Sequence, residues 1–421
     1  MRTLTTLLLA FICHFSLLAQ NICGSSIYKE RLLQSNPALR LRLEQATGNI
    51  LTNSPVSNAD DIGSATPETI FIPVVVHVVY YNGAQNISED QVKSQIAALN
   101  QDFNKENADI SSVPRVFLSF AAKTNIRFIL AKVDPDGRVT NGITRKKSTV
   151  ERWSDDDRIK NEKSGGVAAW DSRYYLNIWV SNLSGGLLGY STFPGTPADK
   201  DGVVIRYDVF GSKSTSGSGP FNLGRTAVHE VGHWLNLRHL WGDTECGTDD
   251  IDDTPPQRGY NRGCPVFPRL NNDCAAADPN GEMFMNFMDF TDDACMKMFT
   301  TGQSRHMVNQ FGKDGWRHTM LASRALGEPY NFTPHELADI APNSMKLFPN
   351  PAADLLYFHC GKELVLGGKT YVVYGADGRS ALAGVLSHGQ NSLQVRNLKP
   401  GLYFLRIGDG IELPVISFLK Q

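Results

Sequence analysis

The chain has 421 residues, a formal charge of −2 and 41% hydrophobic residues. That length allows two or three domains and a sizeable core. The near-neutral balance gives no electrostatic argument for nucleic acid or an anionic membrane as partner.

The first twenty residues, "MRTLTTLLLAFICHFSLLAQ", combine a positive Arg2, an apolar stretch from Leu7 to Leu18 and a small Ala19 before Gln20. The pattern predicts a signal peptide at residues 1–19, which takes Cys13 with it, and hence an exported protein. The apolar stretch is short for a bilayer and none longer follows, so no membrane span is expected in the mature protein. Residues 20–67 hold a basic helical stretch, "YKERLLQSNPALRLRLEQ", and a Ser/Asn/Asp-rich tail. They lack the apolar content for a core of their own and read as a pro-segment and linker.

Residues 68–325 carry the pattern of one α/β (α+β) unit. "FIPVVVHVVYY" is a buried strand rich in β-branched residues. His77 within it reads as a satisfied core histidine. Ser88 and Gln91 have capping-box spacing ahead of Val92, Ile96, Leu99 and Phe103, which recur at helical period. "IRFILAKVDPDG", "YYLNIWVSNL" and "DGVVIRYDVFG" are further strands, and "GSKSTSGSGP" a flexible loop before the next helix. "TGQSRHMVNQFGKDGW" is a later helix. After a linker at 326–342, residues 343–421 change to short strands and turns, a small all-β sandwich.

The helix after the loop contains "TAVHEVGHWLNLRHLWGD". On a helix, residues four apart lie about 40° apart around the axis, so His229 and His233 share a face and can hold one metal ion. Glu230 is placed to take a proton from a metal-bound water, the H-E-x-x-H arrangement of zinc peptidases. On a continued helix His239 would lie about 15 Å beyond His229. The chain therefore has to turn between His233 and His239, and Asn236 is the residue that best tolerates the positive φ such a turn needs.

The paired segments "HEVGHWLNLRH" and "NFMDFTDDACMKMFTTGQSRHM" resemble the pappalysin (cytophagalysin) family of metzincin metalloproteases, over roughly Ile70 to Leu321. The resemblance implies zinc ligands His229, His233 and His239, general base Glu230, and Met288 as the methionine of a turn beneath the metal. It implies that "GGLLGYSTFP" contains the edge strand to which a substrate adds antiparallel. Two positions depart from the family. Phe290 stands where relatives often have tyrosine. Ala294 stands where arginine-preferring relatives have aspartate, which puts a preference for basic residues in doubt.

Six cysteines follow the signal peptide, and four of them cluster after the histidine motif. In an exported chain these four read as two disulfides, with three pairings open. The resemblance implies Cys246 with Cys274 and Cys264 with Cys295. It also implies a calcium loop at "CGTDDIDDTPPQ", with Asp249, Asp253 and Thr254 as ligands, against the plain reading of a solvated acidic loop. Cys23 suits a cysteine switch that supplies a thiolate to the zinc, though Asn21 replaces the arginine common in relatives; an idle thiol or a bond to Cys360 are its alternatives. "LFPNPAADLLYF", "YGADGRSAL" and "LKPGLYFLRI" resemble the type IX secretion sorting domain of Bacteroidetes. That implies export through the periplasm by the type IX machinery to the medium or cell surface, against a carbohydrate- or protein-binding sandwich. The expected function is a secreted zinc endopeptidase made as a zymogen and acting on proteins or peptides. The alternatives are an exported zinc-containing binding protein without catalysis, or another metal-dependent hydrolase.

Overall fold

The computed structural model describes residues 23–37, 39–40, 69–212, 219–270, 274, 278–327, 345–360, 368–387, 392–408 and 415–421. The segments expected as signal peptide, as linker ahead of residue 69 and as most of the second linker, and the middle of the Gly/Ser loop, lie outside them. Apart from residues 137–139, the chain forms two compact units that divide in sequence between Leu326 and Gly327.

The first unit is built on a six-stranded mixed sheet. Its strands are β1 (Ile70–Tyr80), β2 (Ile126–Leu130), β3 (Ile143–Lys147), β4 (Leu176–Ser181), β5 (Gly189–Ser191) and β6 (Val203–Arg206). The order is β2-β1-β4-β6-β5, with β3 also pairing with β1. Every pairing is parallel except β5 with β6, which is antiparallel and leaves β5 at the edge. β1 is buried from Ile72 to Val79, which explains its nearly unbroken apolar run: a parallel strand covered on both faces has no polar side to show.

One face packs against helix α2 (Glu89–Phe103), through Val92, Leu99 and Phe103, and against helix α3 (Arg225–Trp234). On the other face Val79, Trp179, Tyr190 and Val204 pack with Trp153, Ile159 and Tyr28 of the N-terminal helix α1 (Ser25–Ser35). His77 is fully buried, bonded to Thr144 through Nδ1 (2.8 Å) and to Asn177 through Nε2 (3.0 Å). Burial holds its ring down to about 4, a neutral core histidine.

Ser88 caps α2 by accepting from the Gln91 amide, but the reciprocal half of the expected box is missing. The Gln91 carboxamide donates instead to the carbonyls of Tyr207 and Phe210. The full capping box lies at Thr300 and Gln303, which open helix α4 (Thr301–Asn309). That helix ends earlier than its apolar pattern suggests, in turns from Gln310 onward.

The second unit is a β-sandwich. Strands β7 (Met345–Phe348), β8 (Leu355–Cys360) and β11 (Ser392–Gln394) form one antiparallel sheet. Strands β9 (Thr370–Gly375), β10 (Ser380–Val385), β12 (Gly401–Ile407) and β13 (Ile416–Lys420) form the other. Leu356 and Phe358 of the first share a core with Val373, Leu405 and Phe418 of the second.

Candidate active site

The site hangs on α3, whose ten residues are all buried. Asp293 anchors its start, with Oδ2 accepting from the amides of Leu223 (2.7 Å) and Arg225 (3.2 Å). Negative charge at this end also suits the helix dipole. The buried Arg225 guanidinium pairs with Asp102 of α2 and with Asp109. At the other end the chain closes a Schellman motif. Leu237 N donates to Gly232 O (2.9 Å) and Asn236 N to His233 O (2.8 Å), with Asn236 at φ +76°. This turn brings His239 back to the other two histidines.

His233 Nε2 lies 3.1 Å from His229 Nε2 and 3.0 Å from His239 Nε2. Each ring's other nitrogen is already engaged. His229 Nδ1 donates to Phe287 O (2.6 Å), His233 Nδ1 to Leu237 O (2.8 Å), and His239 Nδ1 to Asp243 Oδ1 (2.5 Å). Three Nε2 lone pairs therefore face one another with no proton to share, a repulsive arrangement unless a cation lies between them. Burial, with the neighbouring His239, holds His229 down to about 3 and His233 well below the ordinary range, so these rings are neutral.

The fourth corner is Cys23 Sγ, 3.5 Å from His233 Nε2; the four ligand atoms lie within 4.8 Å of one another. Four-coordinate zinc, with nitrogens at about 2.0 Å and sulfur at about 2.3 Å, separates nitrogens by about 3.3 Å and nitrogen from sulfur by about 3.5 Å. The donor set fits zinc. Cys23 is free and buried, so its sulfur is not spent on a disulfide with Cys360.

Glu230 is 1% exposed beside this cluster. Burial pushes its carboxyl up to about 7, against the hydrogen bonds it receives from Ser25 and Cys23. Gly189 of the edge strand lies directly over it: a Cβ there would sit 3.0 Å from Glu230 Cγ. Met288 packs under α3, and a Cβ on Gly232 would meet its sulfur at 2.6 Å. The preceding residue, Phe287, supplies the carbonyl that orients His229. Phe290 adds a ring edge-on to His239 (centroids 4.8 Å) and no hydroxyl. Ala294 is exposed.

Cys246 is bonded to Cys274 and Cys264 to Cys295. In the acidic loop, Asp249 Oδ1 accepts from Thr254 Oγ1 (2.6 Å), while its buried Oδ2 has no hydrogen-bond partner. Asp253 is turned to the start of α4, accepting from Thr300 Oγ1 (2.6 Å) and Gly302 N (2.7 Å).

Asp243, Ser25 and Ser26 were not singled out by sequence. Asp243 lies four residues after His239, and a carboxylate at that offset is the one available signal. Ser25 and Ser26 belong to the N-terminal segment. It enters the cleft parallel to β5, with Cys23 bridged to Gly189 and Gly24 N donating to Gly189 O (3.0 Å). Ser25 Oγ accepts from Ser191 N (2.8 Å) and donates to Glu230 Oε2 (2.6 Å); Ser26 Oγ donates to Asp243 Oδ2 (2.6 Å).

Residues 159–312 match the family profile described as pregnancy-associated plasma protein-A. Extracellular metalloprotease 1 of Coccidioides posadasii is 32% identical over 249 residues, 58% of this chain and 77% of the relative. Mature mirolysin of Tannerella forsythia, solved with a cleaved peptide, is 49% identical at a TM-score of 0.60, covering 63% of this chain and 100% of that one. The chain belongs to the pappalysin family of metalloproteases. A mutant of promirolysin, the precursor form from Tannerella forsythia, is 45% identical at a TM-score of 0.66 and covers 73% of this pappalysin, more than the mature form does. Residues 346–417 match the secretion system C-terminal sorting domain. The protease is thus a secreted or cell-surface enzyme; among the described residues no helix is long and apolar enough to cross a membrane.

Proposed function

We propose that the chain is the latent precursor of a zinc endopeptidase, with His229, His233 and His239 as its zinc ligands and Cys23 as the thiolate that closes the fourth position. The observation that carries this reading is the convergence of three Nε2 lone pairs and one sulfur, with Glu230 beside them. Zinc, when bound, supplies Lewis acidity toward a peptide carbonyl. Glu230 takes the proton of the attacking water and returns it to the leaving amine. β5 aligns the substrate as an added antiparallel strand. The N-terminal segment runs the opposite way along β5, so it fills the cleft without offering a peptide bond in the cleavable direction.

Latency rests on more than the thiolate. Ser25 holds the general base and Ser26 holds the carboxylate behind His239. A calcium ion at the acidic loop is a further part of this reading, supported by the orphaned Oδ2 of Asp249. Export by the type IX machinery is the role the C-terminal sandwich would serve.

Glu230→Ala should leave one zinc per processed chain and lower peptidase kcat about 10²–10⁴-fold. Elemental analysis and a quenched-peptide assay on the same preparation check this. Undiminished turnover would remove Glu230 from the mechanism.

A further inference from the structure

Tyr28 enters a pocket made entirely by the catalytic unit. Its side chain is buried, and its ring lies 5.4 Å from that of Tyr190. The Tyr28 hydroxyl donates to Asp157 Oδ2 at 2.9 Å. Asp157 is held from behind by the buried Lys160, whose ammonium lies 2.9 Å from Oδ1 and 5.1 Å from the Tyr28 ring centroid. Leu183 and Leu187 complete the apolar wall. Tyr190 Oη is buried with no hydrogen-bond partner, so the pocket keeps a second unused polar atom.

The pocket flanks the edge strand β5 on the sheet face away from α3. Gly189 and Ser191 turn their backbone groups to the N-terminal segment, and Tyr190 between them forms the pocket wall. A chain lying along β5 therefore passes its mouth. Loss of the pro-segment removes Tyr28 and leaves a phenol-sized recess ending in the Asp157 carboxylate, which keeps the ammonium groups of Lys160 (2.9 Å) and Lys200 (3.5 Å) but loses its hydroxyl donor. An isostere without the hydroxyl would forgo that charge-assisted hydrogen bond, which is how such a recess discriminates.

We propose that the recess left by Tyr28, between Tyr190, Lys160 and Asp157, is a substrate subsite that takes a tyrosine side chain on the N-terminal side of the scissile bond. The side follows from strand direction. The general base lies at Gly189, and along an antiparallel substrate the residues opposite Tyr190 and Ser191 precede the bond that is cut. Tyr28 fills the subsite from a segment of reversed direction, as a built-in product-side mimic. This assignment rests on the protease reading above and names the substrate class of that same cleft.

The test uses full-length precursor loaded with zinc and then freed of its pro-segment by limited proteolysis. It is assayed on quenched peptides that differ only by Tyr, Phe or Ala at each of the three positions before the cleaved bond, with and without a chelator. At one position kcat/KM should favour Tyr over Ala by at least about 10-fold and Tyr over Phe by about 10-fold. Asp157→Asn should cut the Tyr-to-Phe ratio at least about 3-fold, since a charge-assisted bond becomes a neutral one. Each ratio is taken within one preparation, so the folded fraction cancels. Chelator-sensitive cleavage with equal rates for all three residues at every position would overturn the subsite and leave the protease reading standing. No chelator-sensitive cleavage of any peptide would overturn both.

Discussion

At Asn236 a single backbone angle decides whether the third histidine reaches the site. The residue sits at φ +76°, where a β-branched side chain would meet its own backbone. Glycine would fit, but asparagine adds a tether: its Nδ2 lies 3.1 Å from His306 Nε2 of α4, which couples the turn to a second helix. Asn236→Val should therefore destabilise the catalytic unit by about 1–2 kcal/mol and lower its melting temperature by about 2–8 °C. Asn236→Gly should cost less, because it keeps the angle and loses only the tether. Thermal unfolding of the three proteins checks the order; a valine variant as stable as the parent would mean that the turn is not strained at this residue. The histidines and this hinge were legible because their spacing has one geometric solution. Ser25, Ser26 and Tyr28 were not, because their partners Glu230, Asp243 and Asp157 lie more than a hundred residues away and no local pattern links them.

The same limit governs whole elements. Strands β1, β2, β4 and β6 and helix α2 follow from apolar period and appear where the pattern puts them, whereas β3, a largely polar ITRKK, carries no such pattern. Gln91 shows where local reading stops: its spacing from Ser88 fits a capping box, yet the loop after β6 offers it two carbonyls, one of them fully buried. Helix α1 makes the point more strongly. Its sequence is polar and reads as unable to pack tightly. It packs by using the catalytic unit's surface, with Tyr28 and Leu33 buried and Arg31 paired with Asp155. The acidic loop carries a prediction at this scale. Burial raises the Asp249 carboxyl to about 7. The folded state thus binds a proton that the unfolded state has lost between about pH 4 and 7. Without a cation, this group's contribution to stability falls as pH rises through that window. Calcium at Asp249 competes with the proton, so its stabilisation should be small at pH 5. At pH 7.5 it should approach about 2.7 kcal/mol at a hundredfold excess over Kd. Melting temperatures with calcium and with a calcium-selective chelator at the two pH values check this; equal values at pH 7.5 would remove calcium from the loop.

At the scale of the molecule, two separate cores serve two separate tasks. The larger holds the mixed sheet and the histidines; the smaller is the sandwich matched by the sorting-domain profile. The N-terminal segment belongs to the first, with Cys23 Sγ 3.5 Å from His233 Nε2, and on the proposed reading the precursor and the processed enzyme differ at the metal site through it. The most direct test is zinc-edge X-ray absorption on the intact, zinc-loaded precursor and again after its pro-segment is removed. Three nitrogens at about 2.0 Å and one sulfur at about 2.3 Å are expected in the precursor, with the sulfur replaced by a light atom after processing. A precursor spectrum without sulfur would contradict the Cys23 assignment, and fewer than three imidazole nitrogens in either form would contradict the site built by His229, His233 and His239.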